Sequence, residues 1–418
     1  MFQKGKAVIF LFSAVIILYG ASAVFFGNVI AGRDKTYPAI EVFMDALGYV
    51  NKDYVEAPDM NKVQQGAMRG LMEALDPYST FLSKEKVQVL DSRKEFAAGV
   101  GMVLSKRANI IYVVATERGG PAESAGVRPG DYLTAIDGAN VEDSSLLEAD
   151  SILRGAPGTS VKVSVFRGAQ TKPIDIQIVR KISEPLVAAR MVDEKIAVVE
   201  ISSLNAAAIE QVRLKLKTLV SAGAQKLVLD LRDCAGGGTN EGADLANFFL
   251  KTGTICTSKA RTGEIIQEIK AAADKCLTDL PMVVLENGST AGAAEIVAGA
   301  LKANGRAAVI GERSFGMGSI QKRIALKSGA VLILSTAKFY TPDGKMIEND
   351  VTLRDAGIKP DVESPDAQKL QDLLVDSYFD GPEDTAKYKQ LQAKVRQEQF
   401  DKAVEVLKKG VQAAKKIQ

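Results

Sequence analysis

The stretch KLVLDLRDCAGGGTNEGADLANFFLKTG, residues 226–253, decides the fold. KLVLDL reads as a strand covered on both faces. Three glycines follow as a loop, and GADLANFFLKTG reads as a helix. The rhythm continues on either side. Upstream, IAVVEIS (196–202) is a strand and AAIEQVRLKLKTLVSAG (207–223) a helix. Downstream, MVVLEN (282–287) is a strand and AGAAEIVAGALKANG (291–305) a small-residue helix. AAVIGE, SIQKRIAL and AVLILSTAKFYTP complete the region. Strand–helix alternation predicts a mostly parallel, covered sheet with an antiparallel edge over 183–362. The fold class is mixed α/β.

The flanks differ. Within 96–182, the β-rich runs IIYVVAT, YLTAIDG, VKVSVFR and IDIQIVR alternate with Gly/Pro punctuation, which predicts a small β-barrel. LLEADSILRG reads as a short helix between the second and third of these runs. Residues 33–95 read as helices, from the 3.6-type spacing of IEVFMDALGYV and VQQGAMRGLMEAL, with Pro77 ending the second. Residues 363–418 are charged and helical, a solvated or docking tail with a wet face.

The chain has 418 residues and no histidine. A Ser-His-Asp triad, a Cys-His dyad and a zinc site of H-E-x-x-H type are therefore excluded. Cys234, Cys256 and Cys276 lack C-x-x-C spacing, so no structural zinc site and no metal or cofactor is expected. A formal net charge of +2 offers nothing to nucleic acid. Gly236-Gly237-Gly238 cannot start a G-x-G-x-x-G, since position 241 is Glu241. A Walker A reading of Gly311–Gly316 fails at Met317.

Residues 7–32 carry no charge, and Ala7–Gly27 are almost wholly apolar. Helical, these 21 residues span about 31 Å, one hydrocarbon core. Lys4 and Lys6 precede the run and place it by the positive-inside rule, with the body exported. The apolar residues continue past Ala21-Ser22-Ala23, which favours a retained anchor (1–32) over a cleaved signal peptide. Export allows a Cys256–Cys276 disulfide; three reduced thiols fit equally well.

Seven stretches together resemble the carboxy-terminal processing proteases, exported PDZ-containing serine peptidases of family S41. They are ALDPYSTFLSKEK (74–86), GGPAESAGVRPGDYLTAIDG (119–138), LRGAPGTSVKV (153–163), LVLDLRDCAGGG (227–238), NGSTAGAAEIVAGAL (287–301), GERSFGMGSIQ (311–321) and STAKFYTPDGKMI (335–347). The resemblance implies a PDZ domain over 96–182 inserted into a protease-like core over 183–362. PDZ domains bind extended peptide tails by β-augmentation. The implied carboxylate loop is Phe96–Met102, with Gly99, Val100, Gly101 and Met102 receiving the tail. Gly99 and Gly101 permit close backbone approach.

The family cleaves with a Ser–Lys dyad, the lysine replacing histidine as base. Here the nucleophile run reads Thr290-Ala291-Gly292-Ala293-Ala294-Glu295, and the nucleophile position is Gly292. The base run reads Phe315-Gly316-Met317-Gly318-Ser319-Ile320-Gln321, and the base position is Met317. Gln321, the third polar group, is retained. Backbone N–H groups of Gly236, Gly237 and Ala293 are the implied oxyanion donors. Ser289 and Thr290 are read as N-caps of the following helix rather than displaced nucleophiles. Lys322 is expected to face away from the Met317/Gln321 side of a regular strand. Cys234, with no histidine to activate it, is expected to be inert.

The expectation is a membrane-anchored pseudoprotease in the bacterial periplasm. It would bind protein C-terminal tails and act as scaffold or regulator, with an active relative or envelope proteins as partners. It would contact the inner membrane through residues 7–27, and a homo-oligomer is left open. The alternatives are an active peptidase using Ser289 or Thr290 with Lys322 or Lys338, and a structural subunit of an envelope complex.

Overall fold

A computed structural model describes residues 36–93, 95–107, 109–168, 170–182, 187–193, 195–348, 356–379 and 385–410. The expected anchor at 7–27 lies outside them. Among the described residues no helix is long and apolar enough to cross a membrane. The chain divides into two units, 1–68 and 69–418. In the first lie α1 (Thr36–Asp53) and most of α2 (Met60–Glu73).

The second unit opens with a departure from the helical expectation for 33–95. Pro77 stops the helix, and the Asp76 carboxylate accepts from the N–H groups of Tyr78 and Ser79 at 2.8 and 2.7 Å. This turn leads into a strand, β1 (Thr80–Leu82), before α3 (Lys84–Arg93).

The small β domain follows in chain order. Its elements are β2 (Ala98–Gly99), β3 (Met102–Arg107), β4 (Ile110–Thr116), α4 (Pro121–Ala125), β5 (Tyr132–Ile136), β6 (Ala139–Asn140), α5 (Leu146–Leu153), β7 (Ser160–Phe166), β8 (Ile174–Val179) and β9 (Lys181–Ile182). Strands β3-β4-β5-β7-β8 form an antiparallel sheet with β6 on β5, and β2 pairs β9. Alternate residues of β7 (Val161, Val163, Val165) are fully buried, the period-2 pattern of a strand with one covered face. α5 starts at a capping box in which Ser145 and Glu148 satisfy each other's backbone N–H.

The core contains β10 (Val187–Val192), β11 (Ile196–Ile201), α6 (Ala206–Ser221), β12 (Lys226–Asp230), α7 (Thr239–Asn247), β13 (Thr254–Ala260), β14 (Ile265–Lys270), β15 (Met282–Glu286), α8 (Ala293–Ala303), β16 (Ala307–Gly311), β17 (Ser319–Ala325) and β18 (Val331–Tyr340). One sheet runs β10-β11-β12-β15-β16, parallel except for the antiparallel edge β10. SIQKRIAL and AVLILSTAKFYTP do not supply that edge. As β17 and β18 they build a second, antiparallel sheet with β1, β13 and β14. The β13–β14 hairpin had no reading of its own in the sequence, because IIQEIK is exposed at five of six positions and so lacks alternation.

Two helices end the described chain, α9 (Pro365–Phe379) and α10 (Thr385–Lys409). A wet face is not the whole of α10. Its Val395, Ala403, Val406 and Leu407 are buried, the last three against Val198, Val228, Val283 and Ile310 of the parallel sheet. Charges crowd its sequence because only one stripe is covered. The Cys256–Cys276 disulfide is not formed. Cys256 is buried in the core from β13, while the Cys276 thiol lies near Thr278 O, and all three cysteines are free.

Candidate functional site

The site lies where the C-terminal ends of β12 and β15 meet the N-terminus of α8. Gly292 is the residue before α8 and adopts φ 67°, ψ −121°. A non-glycine residue is strained there. A Cβ at this position would stand 3.8 Å from the Met317 sulfur and 3.4 Å from Gly236 O. The structure therefore brings 292 and 317 together although 25 residues separate them. Neither carries an ionisable group or a hydroxyl.

Glu295 holds this arrangement. It is fully buried. One carboxylate oxygen accepts from Ser314 Oγ (2.5 Å) and Gly316 N (2.6 Å), the other from Gly292 N (2.9 Å) and Met317 N (2.7 Å). One side chain thus ties the 292 turn to the 314–317 loop. Burial pushes its carboxyl up to about 7, while the four donors oppose the rise. Sequence reasoning used Glu295 only as a landmark. Its signal was a lone carboxylate in an otherwise apolar small-residue helix.

Ser289 and Thr290 do not cap α8. The Ser289 hydroxyl donates to Val114 O of the small β domain at 2.8 Å, and Thr290 Oγ1 donates to Leu231 O at 2.8 Å. α8 begins only at Ala293, too far along for a cap at 289 or 290. Lys322 is exposed on β17. A register shift between Ile320 and Gln321 interrupts the strand, so parity does not relate Gln321 to Met317. Gln321 is exposed, and its amide donates to Ser319 Oγ (2.8 Å) and Ser335 Oγ (3.2 Å). Lys338 lies 3.9 Å from Glu348. Cys234 is buried, and burial raises its thiol above the ordinary range.

The glycine loop is shaped by contact. Gly236 and Gly237 have φ 82° and 79°. A Cβ at Gly237 would stand 2.6 Å from Leu204 O. Of the three implied oxyanion donors, the Ala293 N–H is engaged within the protein. Ala293 N donates to Gly236 O at 3.3 Å, and both Gly236 O and Gly236 N lie near the turn, 3.4 and 3.8 Å from a Cβ built at Gly292.

Gly99, Val100, Gly101 and Met102 link β2 to β3. Gly101 has φ 70°, and its carbonyl accepts from Glu117 N at 2.8 Å. A cavity of about 220 Å³ runs from this loop past Leu153 and Arg154 to Asp233, Gly236 and Gly237. The Gly99–Met102 loop and the glycine loop thus share one cavity.

Around it lies an ionic network that sequence reasoning missed. Arg396 on α10 bonds Glu200 (2.7 Å) and Asp233, and lies 3.5 Å from Asp230. Arg118 of the small β domain also pairs with Glu200. Burial pushes Asp230 up, but Arg232 and Arg396 outweigh it and hold the carboxyl below its ordinary value. No local pattern reveals pairs 163 and 196 residues apart.

Residues 195–364 match the Peptidase family S41 model, and residues 112–167 match a PDZ domain. The small β domain is therefore a PDZ domain beside an S41 core. The carboxy-terminal-processing protease of Bartonella bacilliformis is 33% identical over 377 residues, covering 88% of this chain and 85% of that protein. The carboxy-terminal processing protease CtpA of Bacillus subtilis is 32% identical, covering 80% and 71%. The solved photosystem II D1 C-terminal processing protease superposes with TM-score 0.65 at 26% identity, covering 79% of this chain and 88% of that one. The chain belongs to the carboxy-terminal processing protease family.

Proposed function

We propose that this protein is a tail-binding member of its family without hydrolytic activity. The PDZ domain takes protein C-termini through Gly99–Met102, and the neighbouring cleft holds them without cutting. The observation that carries this reading is the pair Gly292 and Met317, which lie side by side and offer neither nucleophile nor base. Displaced catalysis is disfavoured, because the hydroxyls of Ser289 and Thr290 are buried and donate to main-chain carbonyls. Export, anchoring through residues 7–27, and a scaffolding or regulatory role in the bacterial envelope belong to the same proposal. They rest on the apolar N-terminal run and its preceding lysines.

The test is hydrolysis of an unstructured protein with an apolar C-terminus. The purified chain runs beside Gly292→Ser/Met317→Lys. A silent wild type with an active double variant is the expected result. Cleavage by the wild type, abolished by Ser289→Ala or Thr290→Ala, would overturn the reading.

A further inference from the structure

A second cavity, of about 430 Å³, shares no lining residue with the one beside Gly236. It lies between the C-terminal half of α8, the turn after β18 and the 356–359 segment. Gly299 lets these segments close on the helix. A Cβ there would stand 2.7 Å from Thr341 Cγ2 and 3.0 Å from Ile358 Cδ1. The Arg313 guanidinium donates to Ala356 O at 3.1 Å. The volume falls within the roughly 300–1,000 Å³ usual for small-molecule sites. Ala303, Met346, Ala356 and Ile358 give it an apolar lining. Its charged groups are unequal in sign. Lys302, Arg313, Lys345 and Lys359 stand on the wall against Asp343 and Glu348. Two of the cations are already paired, Lys302 with Asp361 at 3.0 Å and Lys345 with Asp343 at 2.9 Å. Lys359 is exposed, and its ammonium has no partner among the described residues.

An apolar cavity with an uncommitted cation on its wall suits a ligand with an apolar body and a single negative charge. A cationic ligand would meet the excess of lysine and arginine. A dianionic phosphate would have to draw a second cation from its carboxylate. We propose that this cavity binds a medium-chain carboxylate, with the acyl chain against Ala303, Met346 and Ile358 and the carboxylate on Lys359. Burial of the methylenes supplies affinity, and the charge-assisted hydrogen bond fixes the orientation. The proposal is independent of tail binding. The cavity wall is also joined to the 292 turn. Ile358 N donates to Ser314 Oγ at 2.6 Å, and Ser314 Oγ donates to Glu295 at 2.5 Å. A ligand against Ile358 therefore restrains the residue that ties Gly292 to the 314–317 loop.

The test titrates the full chain with octanoate, octanol and acetate by calorimetry. Ala303→Trp, which fills the cavity, is titrated identically and reports uptake elsewhere in the sample. Lys359→Glu and Lys359→Arg change only an exposed side chain, and they carry the test if Ala303→Trp fails to fold. Wild type is expected to bind one octanoate with a dissociation constant on the order of 100 µM. Octanol, which lacks the charge, and Lys359→Glu should each weaken binding about tenfold. Lys359→Arg should match wild type, and Ala303→Trp and acetate should show no binding. Hydrogen exchange at 313–317 and 356–359 should slow with octanoate. No saturable uptake overturns the proposal, as does unchanged uptake in either Ala303→Trp or Lys359→Glu. Equal affinity for octanol overturns it as well, and so does saturable binding without slower exchange at 356–359.

Discussion

Replacing Gly237 by alanine separates two costs that the glycine loop now avoids. At φ 79° an alanine occupies the left-handed region, which costs about 1–2 kcal/mol. Its Cβ would also stand 2.6 Å from Leu204 O and 2.8 Å from Leu204 Cβ. Leu204 is buried, and the clash is with backbone rather than a flexible tip. Overpacking of that kind adds about 1–3 kcal/mol. The total is about 2–5 kcal/mol. Gly223 provides the control. It has φ 91° and nothing within 4 Å of its Cβ position, so Gly223→Ala carries the conformational cost alone. The chain has no tryptophan, and urea unfolding is therefore followed by circular dichroism at 222 nm. Gly237→Ala should lose more stability than Gly223→Ala by the packing term. Equal losses in the two variants would refute the claim that Leu204 and the loop are in close contact.

Arg396→Ala leaves Glu200, Asp230 and Asp233 without their shared cation and is expected to cost about 3 kcal/mol, with Arg396→Lys restoring only part. A loss below about 1 kcal/mol in urea unfolding would count against the network. The Glu295 carboxyl is raised from 4.5 to about 7 on folding, so folding takes up a proton between those values. Wild-type stability relative to Glu295→Gln should be greatest below pH 4.5 and narrow by up to about 3 kcal/mol as pH rises to 7. A margin that widens with pH would contradict this. Burial raises both inner thiols, Cys256 to about 11 and Cys234 further. Iodoacetamide at pH 8 should label Cys276 alone in the native protein and all three cysteines in urea; native labelling of Cys234 would show an open glycine loop.

Legibility in the sequence tracked how local each feature is. KLVLDL, MVVLEN and AAVIGE announce strands because both their faces are apolar, and all three stand side by side as β12, β15 and β16. IIQEIK gave no such sign, since an exposed hairpin strand has no buried face to imprint on it. The segment 80–82 was hidden in a helical context because three residues are too few to show a period. Ser289 and Thr290 look like caps when read along the chain. The turn at Gly292 shifts the helix start, and their hydroxyls go to carbonyls of other elements instead.

By itself the sequence determined which groups are absent. No histidine occurs anywhere, position 292 has no side chain, and position 317 has no proton to exchange. Those are covalent facts that folding cannot change. The identity of β12, β15 and β16 as covered strands was likewise set by local apolar runs. Tertiary structure alone decided that Gly236 turns its carbonyl toward Ala293, that Glu295 joins two loops, and that Arg396 reaches Asp233 from 163 residues away. Such contacts depend on which surfaces meet once distant segments pack, and no periodicity along the chain carries that information.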